Sequence, residues 1–463
     1  MTSLAGVFVT ALTLAAAAQE VSREQVMPLR LGLVKRTGFD KDRRDTINLA
    51  NLADTGYYTY VSIGTSTTPE KAPQEFLVQV DTGSSALWVG SKDCNQSRNC
   101  NDRHAFDPST SSTFKDVSNG NNVSISFQAG KVTGSVVQDT IFWNGITLPD
   151  QQFLLVHTED EEMKSLQAGS VDGMLGLACQ ATGRASASYF PSILGAIMNT
   201  SLSDTPVFSL WLNGTSGAAG VDLMKGGGEI FLGGVDSSRF QGQLQYYPVI
   251  DSYFWGISVN TMTVNISGSF TRLRPFPSGS TAILDSGTSV IYLETDYLQT
   301  QVVPLIYTAI NTPAPPMDQD SRLWLVECGL IQYLPNIGFN FGDNTIYELS
   351  WSDYILTLGP NRCALGFSPA GTGAKANILG DIFLRKFYSV YDYGSLFVDD
   401  GRKNHPRVGL AVAVGNAKHR INLHGVQPLP LPTPVIRSIA TANSYQHFVP
   451  VIIILVATLF DYC

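Results

Sequence analysis

Val80-Asp81-Thr82-Gly83-Ser84-Ser85 returns in the second half of the chain as Leu284-Asp285-Ser286-Gly287-Thr288-Ser289. Each copy sets a carboxylate at the end of an apolar run, residues 76–80 in one case and 281–284 in the other, and follows it with a hydroxyl residue, a glycine and two more hydroxyl residues. An Asp at the end of a buried strand is costly unless hydrogen bonds replace its water. Glycine lets the chain turn tightly there, and the hydroxyls can donate to the carboxylate. One such tripeptide is compatible with an ordinary turn capped by its Asp. Two copies in matched apolar settings point to two turns brought face to face.

Two carboxylates about 3 Å apart do not both ionise easily, so they share a proton and their apparent pKa values split. Those values belong to the pair. In the singly ionised state one carboxylate takes a proton from a water held between them while the other donates to the carbonyl under attack. That is general acid–base hydrolysis of an amide, with no covalent intermediate and no metal. A glycosidase also uses two carboxylates, but has no need of a duplicated turn with one hydroxyl pattern.

Further segments extend the pattern: Tyr57-Tyr58-Thr59-Tyr60-Val61-Ser62-Ile63-Gly64, the run Ala86-Leu87-Trp88-Val89 after the first turn, and Phe106-Asp107-Pro108-Ser109-Thr110-Ser111-Ser112-Thr113-Phe114. With them come Asp172-Gly173-Met174-Leu175-Gly176-Leu177-Ala178, Phe231-Leu232-Gly233-Gly234-Val235-Asp236 and Asn377-Ile378-Leu379-Gly380-Asp381-Ile382-Phe383-Leu384. From about Tyr57 to Val414 the chain resembles the pepsin-like aspartic peptidases, and its tails resemble those of a secreted, fungal-type member. The resemblance implies an all-β, bilobal acid-protease fold: two lobes, each like a six-stranded barrel, with a central cleft and a β-hairpin flap. It implies Asp81 and Asp285 as the catalytic dyad and no cofactor. Thr82 and Ser286 would lock the two turns together, and Ser84 and Thr288 would donate to the outer carboxylate oxygens. The segments at Asp172 and Asn377 would cross behind the turns, and the one at Phe231 would join the lobes.

The chain departs from that family in the flap, Ile125-Ser126-Phe127-Gln128-Ala129-Gly130-Lys131-Val132-Thr133-Gly134. Phe127 takes the position where the family usually has Tyr, and Gln128 replaces a common Gly. Phe127, Gly130 and Trp88 are the candidate flap and cleft residues. Phe still covers substrate, but it lacks the hydroxyl that Tyr bonds to the Trp corresponding to Trp88, a loss of about 0.5–1.5 kcal/mol. The expected activity is therefore an aspartic endopeptidase working in acid, selective for apolar residues around the scissile bond. The alternative is a catalytically weak binding protein at the cell surface on the same fold.

Composition agrees with that class. At 463 residues the length alone suggests about three domains, but the duplication points to two lobes plus tails. Hydrophobic residues are 44% of the chain, enough for two sizeable cores. Charged residues are only 15% and the net charge is −9, which argues against nucleic acid as a partner and leaves peptides or proteins as substrates of an expected monomer. Sparse surface charge also suits work in acid. Of six cysteines, Cys94 with Cys100 and Cys328 with Cys363 fall where the family has disulfides. Zinc is the alternative for such pairs, but no second thiol or His pair stands nearby at metal-ligand spacing, so no metal is expected. Cys179 reads as a small buried hydrophobe, Cys463 lies in the tail, and the family's small disulfide before the second turn is missing. Sequons stand at Asn95, Asn122, Asn199, Asn213 and Asn265.

The domain boundaries follow. Residues 1–18 read as a secretory signal, apolar and ending in small residues, though without Lys or Arg in its first positions. Residues 19–53 read as a propeptide, with seven basic residues against five acidic ones between Gln19 and Leu52, suited to lie over an acidic cleft until carboxylates protonate. Lys35-Arg36 and Arg43-Arg44 are its candidate cleavage points. The lobes occupy 54–235 and 236–416, with mostly short alternating strands and helical spacing at 191–198, 297–310 and from Asp381. Residues 417–444 form a linker with the stiff run Pro428-Leu429-Pro430-Leu431-Pro432-Thr433-Pro434. Residues 445–463 form an apolar tail shorter than the about 20 residues of a membrane span. Small residues, a brief polar stretch and an apolar end match a GPI-anchor signal, with Asn443 or Ser444 as the attachment residue; a short transmembrane anchor and a free C-terminus are the alternatives. The expected location is the secretory pathway, outside the cell or on its surface rather than in a vacuole.

Overall fold

The computed structural model describes residues 46–432 apart from 52–55, 69, 97–99, 101–102, 128–129, 162, 164–170, 180–191, 199–205, 215–226, 252, 320, 360, 372, 395–404 and 416–425. The signal, the basic stretch up to Asp45 and the apolar tail lie outside them. No helix among the described residues is long and apolar enough to cross a membrane.

The fold is the expected bilobal, mostly-β architecture. One sheet of fourteen strands builds the first lobe and connects the two halves, and sheets of five, four and three strands build the second. The two Asp turns sit in matching local topologies. The strand Gln74–Asp81 buries its last four residues and pairs in parallel with Gly173–Gly176, from Val78 opposite Gly173 to Asp81 opposite Gly176. After the turn, Leu87–Gly90 comes back antiparallel to that same short strand. In the second lobe Thr281–Leu284 runs parallel to Ala376–Leu379, and Ile291–Leu293 returns antiparallel to it. Each turn is thus crossed behind by a short segment ending in glycine. A Cβ on Gly176 would stand 2.5 Å from the Ser85 carbonyl carbon, and one on Gly380 would stand 2.9 Å from that of Thr288. Only glycine lets the crossing backbone come so close.

The halves are joined by the strand order. Val207–Leu212 pairs with Gly228–Leu232 on one side and with Phe387–Asp392 on the other. Thr46–Asn51 pairs with Gly228–Leu232 and with Tyr57–Ile63, and its Ile47 and Leu49 are buried. This strand falls within the stretch 19–53 read as propeptide. Trp255 packs edge-on against Phe208, Tyr391 and Tyr393 at centroid distances of 5.8, 5.1 and 4.8 Å. Its indole N–H donates to the Leu177 carbonyl at 2.9 Å, tying the start of the second lobe to the strand behind the first turn.

The helical stretch expected over 297–310 is divided into a short α-helix Thr295–Tyr297, a π-helical turn Leu298–Val302 and an α-helix Val303–Ala309. Pro304, in the first turn of the last piece, has no N–H to give an upstream carbonyl, and the wider turn before it absorbs the interruption. Helices Ile193–Met198 and Asp381–Lys386 stand where their spacing puts them. Disulfides join Cys94 to Cys100 and Cys328 to Cys363. Cys179 is buried and has no disulfide partner among the described residues, and burial first, then the charge of Asp251, pushes its thiol up to about 12. Within the stretch read as linker, residues 426–432 lie along the second lobe: the Leu429 N–H donates to the Gly329 carbonyl at 3.0 Å, and Asn311 Nδ2 donates to the Pro432 carbonyl at 2.8 Å.

Candidate active site

Four hydrogen bonds join the two Asp turns. The Thr82 hydroxyl donates to the Leu284 carbonyl at 2.8 Å and accepts from the Ser286 N–H at 2.9 Å. The Ser286 hydroxyl donates to the Val80 carbonyl at 2.9 Å and accepts from the Thr82 N–H at 3.1 Å. Both residues are fully buried, so no water competes for these groups. The consequence is that Asp81 and Asp285 face each other. A Cβ on Gly83 would lie 2.6 Å from Asp285 Cγ, and one on Gly287 would lie 2.7 Å from Asp81 Cγ. The glycines keep the space between the carboxyls open.

Each carboxyl is held the same way. Asp81 Oδ1 accepts from the Gly83 N–H at 2.7 Å, and Asp285 Oδ1 accepts from the Gly287 N–H at 2.8 Å. The outer oxygens take the Ser84 hydroxyl in one case and the Thr288 hydroxyl, at 2.7 Å, in the other. The Ser84 hydroxyl also lies 3.6 Å from the Met174 sulfur, a neighbour 90 residues away that only the fold brings to it. Burial, followed by the charge of Asp285 and a hydrogen bond between the two carboxyls, raises the Asp81 pKa well above its ordinary value; bonds from Ser84 and Gly83 oppose the shift without reversing it. The two carboxyls therefore retain a proton that belongs to the pair.

The flap hairpin is built from Asn122–Phe127 and Gly130–Trp143, with Phe127 opposite Gly130. Phe127 is half-buried, and its ring lies 6.4 Å from that of Trp88 at 46°. Trp88 is fully buried, and its indole N–H has no acceptor among the described residues. An unanswered donor of this kind costs about 1–3 kcal/mol. Phe127, the described flap residue beside Trp88, has no hydroxyl to accept this N–H. Gly130 opens the return strand at φ +128° against the Met163 backbone.

Below the flap is an ion pair that the sequence does not announce. Arg103 Nη2 bonds Glu159 Oε2 at 2.7 Å with both side chains fully buried, and Nη1 donates to the Val171 carbonyl at 3.1 Å. The guanidinium carbon stands 5.9 Å from the Trp88 ring centroid. Arg103 and Glu159 are 56 residues apart, so nothing local pairs them.

The remaining predicted residues lie away from the Asp pair. Both cystine bridges are structural. Asn122 is exposed on the outgoing flap strand, Asn265 is half-exposed with its Oδ1 accepting the Gly268 N–H at 3.0 Å, and Asn213 is half-buried after Val207–Leu212. The side chain of Asn95 and the whole of Asn199 lie outside the described residues.

With this geometry in hand, the chain can be set beside known proteins. Residues 56–399 match the family described as Eukaryotic aspartyl protease. Gastricsin from Homo sapiens is 33% identical over 346 residues, covering 74% of this chain and 80% of that protein. Cathepsin E from Mus musculus is 32% identical over 373 residues, 79% of this chain and 82% of its own. Cathepsin E-A from Xenopus laevis is 30% identical over 377 residues, covering 81% and 83%.

Two outcomes follow from the pair and from the flap. The folded state holds the Asp81 proton more tightly than the unfolded chain, so its contribution to stability is complete below the ordinary value of 3.8 and is lost as pH rises through the raised one. The melting temperature of the native protein is expected to fall between pH 4 and pH 7, and that of Asp81→Asn to fall less, as measured by calorimetry at matched ionic strength. Phe127→Tyr gives the Trp88 indole an acceptor and is expected to raise stability or kcat/KM by an amount equivalent to about 0.5–1.5 kcal/mol; an unchanged enzyme in both assays counts against the orphaned donor.

Proposed function

We propose a mechanism for a chain that belongs to the eukaryotic aspartyl protease family and is an aspartic endopeptidase. Asp81 and Asp285 are the dyad, and together they hold a water between them. Asp285, ionised, takes a proton from that water. Asp81, protonated, donates to the carbonyl oxygen of the scissile amide. A tetrahedral diol forms; its C–N bond breaks as Asp285 passes the proton it took from water to the departing nitrogen and Asp81 takes a proton back from a diol hydroxyl, leaving a carboxylic acid and an amine. The observation that carries this reading is the hydrogen-bonded carboxyl pair across the glycine-lined gap, with Asp81 raised.

Each surrounding group has a task in this scheme. Thr82 and Ser286 keep the carboxyls at a fixed separation, which preserves the coupling that retains one proton at acidic pH. Ser84 and Thr288 hold the outer oxygens, leaving the inner ones to the water and the carbonyl. Among the described residues the flap strand Asn122–Phe127 pairs only with the return strand, so an extended peptide can add to the hairpin and present alternate side chains to the cleft. Phe127 and the apolar groups around Trp88 favour apolar side chains next to the scissile bond.

Maturation is proposed to end at Arg43-Arg44. Cleavage there leaves the strand Thr46–Asn51 in the fourteen-stranded sheet, whereas removal of residues up to 53 takes out a strand whose Ile47 and Leu49 sit in the core. Two disulfides support folding in the secretory pathway. Attachment to a membrane through the C-terminus and an extracellular or surface location remain part of this proposal.

The decisive assay is cleavage of an acid-denatured protein between pH 3 and 5. The native enzyme is expected to cleave, a statine-type inhibitor to stop it, and Asp81→Asn and Asp285→Asn each to lower kcat by about 10²–10⁴-fold with folding intact. A variant that keeps its rate removes that Asp from the dyad. Mass spectrometry of the processed enzyme is expected to find Asp45 at its N-terminus; a terminus beyond Asn51 overturns the maturation site.

A further inference from the structure

The geometry points to Arg322 as a specificity-determining residue: with Tyr292 it forms a subsite beside the second Asp turn that selects substrates bearing an acidic side chain, Asp or Glu. The inference rests on the reading of the cleft as a peptide site and deepens it by naming a substrate class.

Tyr292 lies seven residues beyond Asp285, on the strand Ile291–Leu293 that leads out of the turn. Ile291 and Leu293 are fully buried, and Tyr292 between them is only half-buried, so it faces the other way. Its strand neighbour in parallel register is Ser368. The Ser368 hydroxyl donates to the Arg322 carbonyl at 3.2 Å, which fastens the Arg322 loop next to Tyr292. Tyr292 senses both charges: burial is the main cause that raises its hydroxyl pKa, Asp285 pushes it further up, and Arg322 pulls it down.

The loop holds Arg322 in one shape. Its N–H donates to the Asp318 carbonyl at 2.9 Å, the Asp318 N–H donates to the Leu323 carbonyl at 2.9 Å, and Arg322 itself sits at φ +55°. A left-handed conformation at a residue other than glycine is uncommon and fixes where the side chain leaves the backbone. Asp320, two residues away, lies outside the described residues, and among the described ones the nearest acid in sequence, Asp318, does not neutralise it. Asp318 Oδ2 is taken by the Ser321 N–H and hydroxyl at 2.9 and 2.6 Å and by Arg362 at 3.2 Å. Arg322 is exposed and makes no ion pair among the described residues. The result is an uncommitted guanidinium, with Asp318, Arg362 and, through Tyr292, Asp285 as its charged surroundings. A peptide carboxylate entering this end of the cleft is repelled by the singly ionised dyad; Arg322 offsets that repulsion and adds a bidentate donor.

The test uses the mature enzyme and matched peptides that differ by Glu or Gln at single positions, with product termini mapped by mass spectrometry. At pH 5.5 the Glu peptide is expected to be cleaved with about 2–5-fold higher kcat/KM at one position, the range of a solvent-exposed ion pair. At pH 3 the substrate carboxyl, ordinarily near 4.3, is protonated and the preference vanishes. Arg322→Gln abolishes the preference, bringing kcat/KM for the Glu peptide level with that for the Gln peptide. Arg322→Lys keeps part of it. Arg322→Glu transfers it to a Lys peptide, a readout that a merely structural role of the loop does not produce. An enzyme that cleaves the Gln peptide normally but shows no charge preference, or an Arg322→Glu variant with the native profile, overturns the inference and leaves the peptidase reading standing. A protein that cleaves neither peptide overturns both.

Discussion

Thr82 and Ser286 each place one hydroxyl in two hydrogen bonds with the opposite turn, and the rest of the site depends on that exchange. A hydroxyl donates once and accepts from more than one side, so a residue of this type can answer both a carbonyl and an N–H of its partner turn. The four bonds lie in a water-free interior, where a missing partner leaves the others unsatisfied. The two turns therefore stay together or come apart as a unit. Their separation sets the separation of the Asp carboxyls, and hence the strength of the Asp285 charge that adds to burial in lifting Asp81.

The duplication extends past the turns. In both lobes a short strand runs parallel to the one that ends in Asp, passes behind the turn, and closes on the strand that leaves it. Gly176 and Gly380 occupy the same place in the two crossings, and in each the backbone behind approaches the turn until no side chain fits. Outside these matched centres the lobes diverge. The first continues into the fourteen-stranded sheet, while the second distributes its strands over smaller sheets and adds the interrupted helix around Pro304. Symmetry is retained where two carboxyls must be held alike and is relaxed where the lobes meet different neighbours.

The interior beneath the flap shows how one substitution is felt. Phe127 preserves the ring packing over Trp88 but leaves the indole N–H unanswered. Arg103 and Glu159, buried together beside the same ring, bring a charged pair to a place where apolar residues line most of the wall. Removing one partner from such a pair costs about 3–5 kcal/mol, because the other charge is then buried alone. The flap base is thus held by a polar interaction at some cost in desolvation, while Phe127 meets Trp88 through ring packing.

Much of this was legible in the sequence, and it was legible where the information is local. The Asp81 and Asp285 turns and the helix from Asp381 carry their own apolar runs and turn chemistry, the glycine-ended segments at Gly176 and Gly380 were legible through the family resemblance, and all of them are present in the fold. The sequence likewise placed Phe127 over Trp88. It did not reveal that Thr46–Asn51 is a strand of the connecting sheet, since its partner lies far along the chain near Phe231, nor that residues 426–432 lie against Gly329 and Asn311. The Arg103–Glu159 pair, the Met174 contact with Ser84, the Trp255 bond to Leu177 and the meeting of Tyr292 with Arg322 were equally hidden. The physical reason is the same in each case. Strand periodicity and turn residues act over a few positions and are written in order, whereas burial of charge, proximity of carboxyls and the neighbours of a free guanidinium arise only when distant segments share one interior, where the loss of water turns a residue's chemistry into a property of its surroundings.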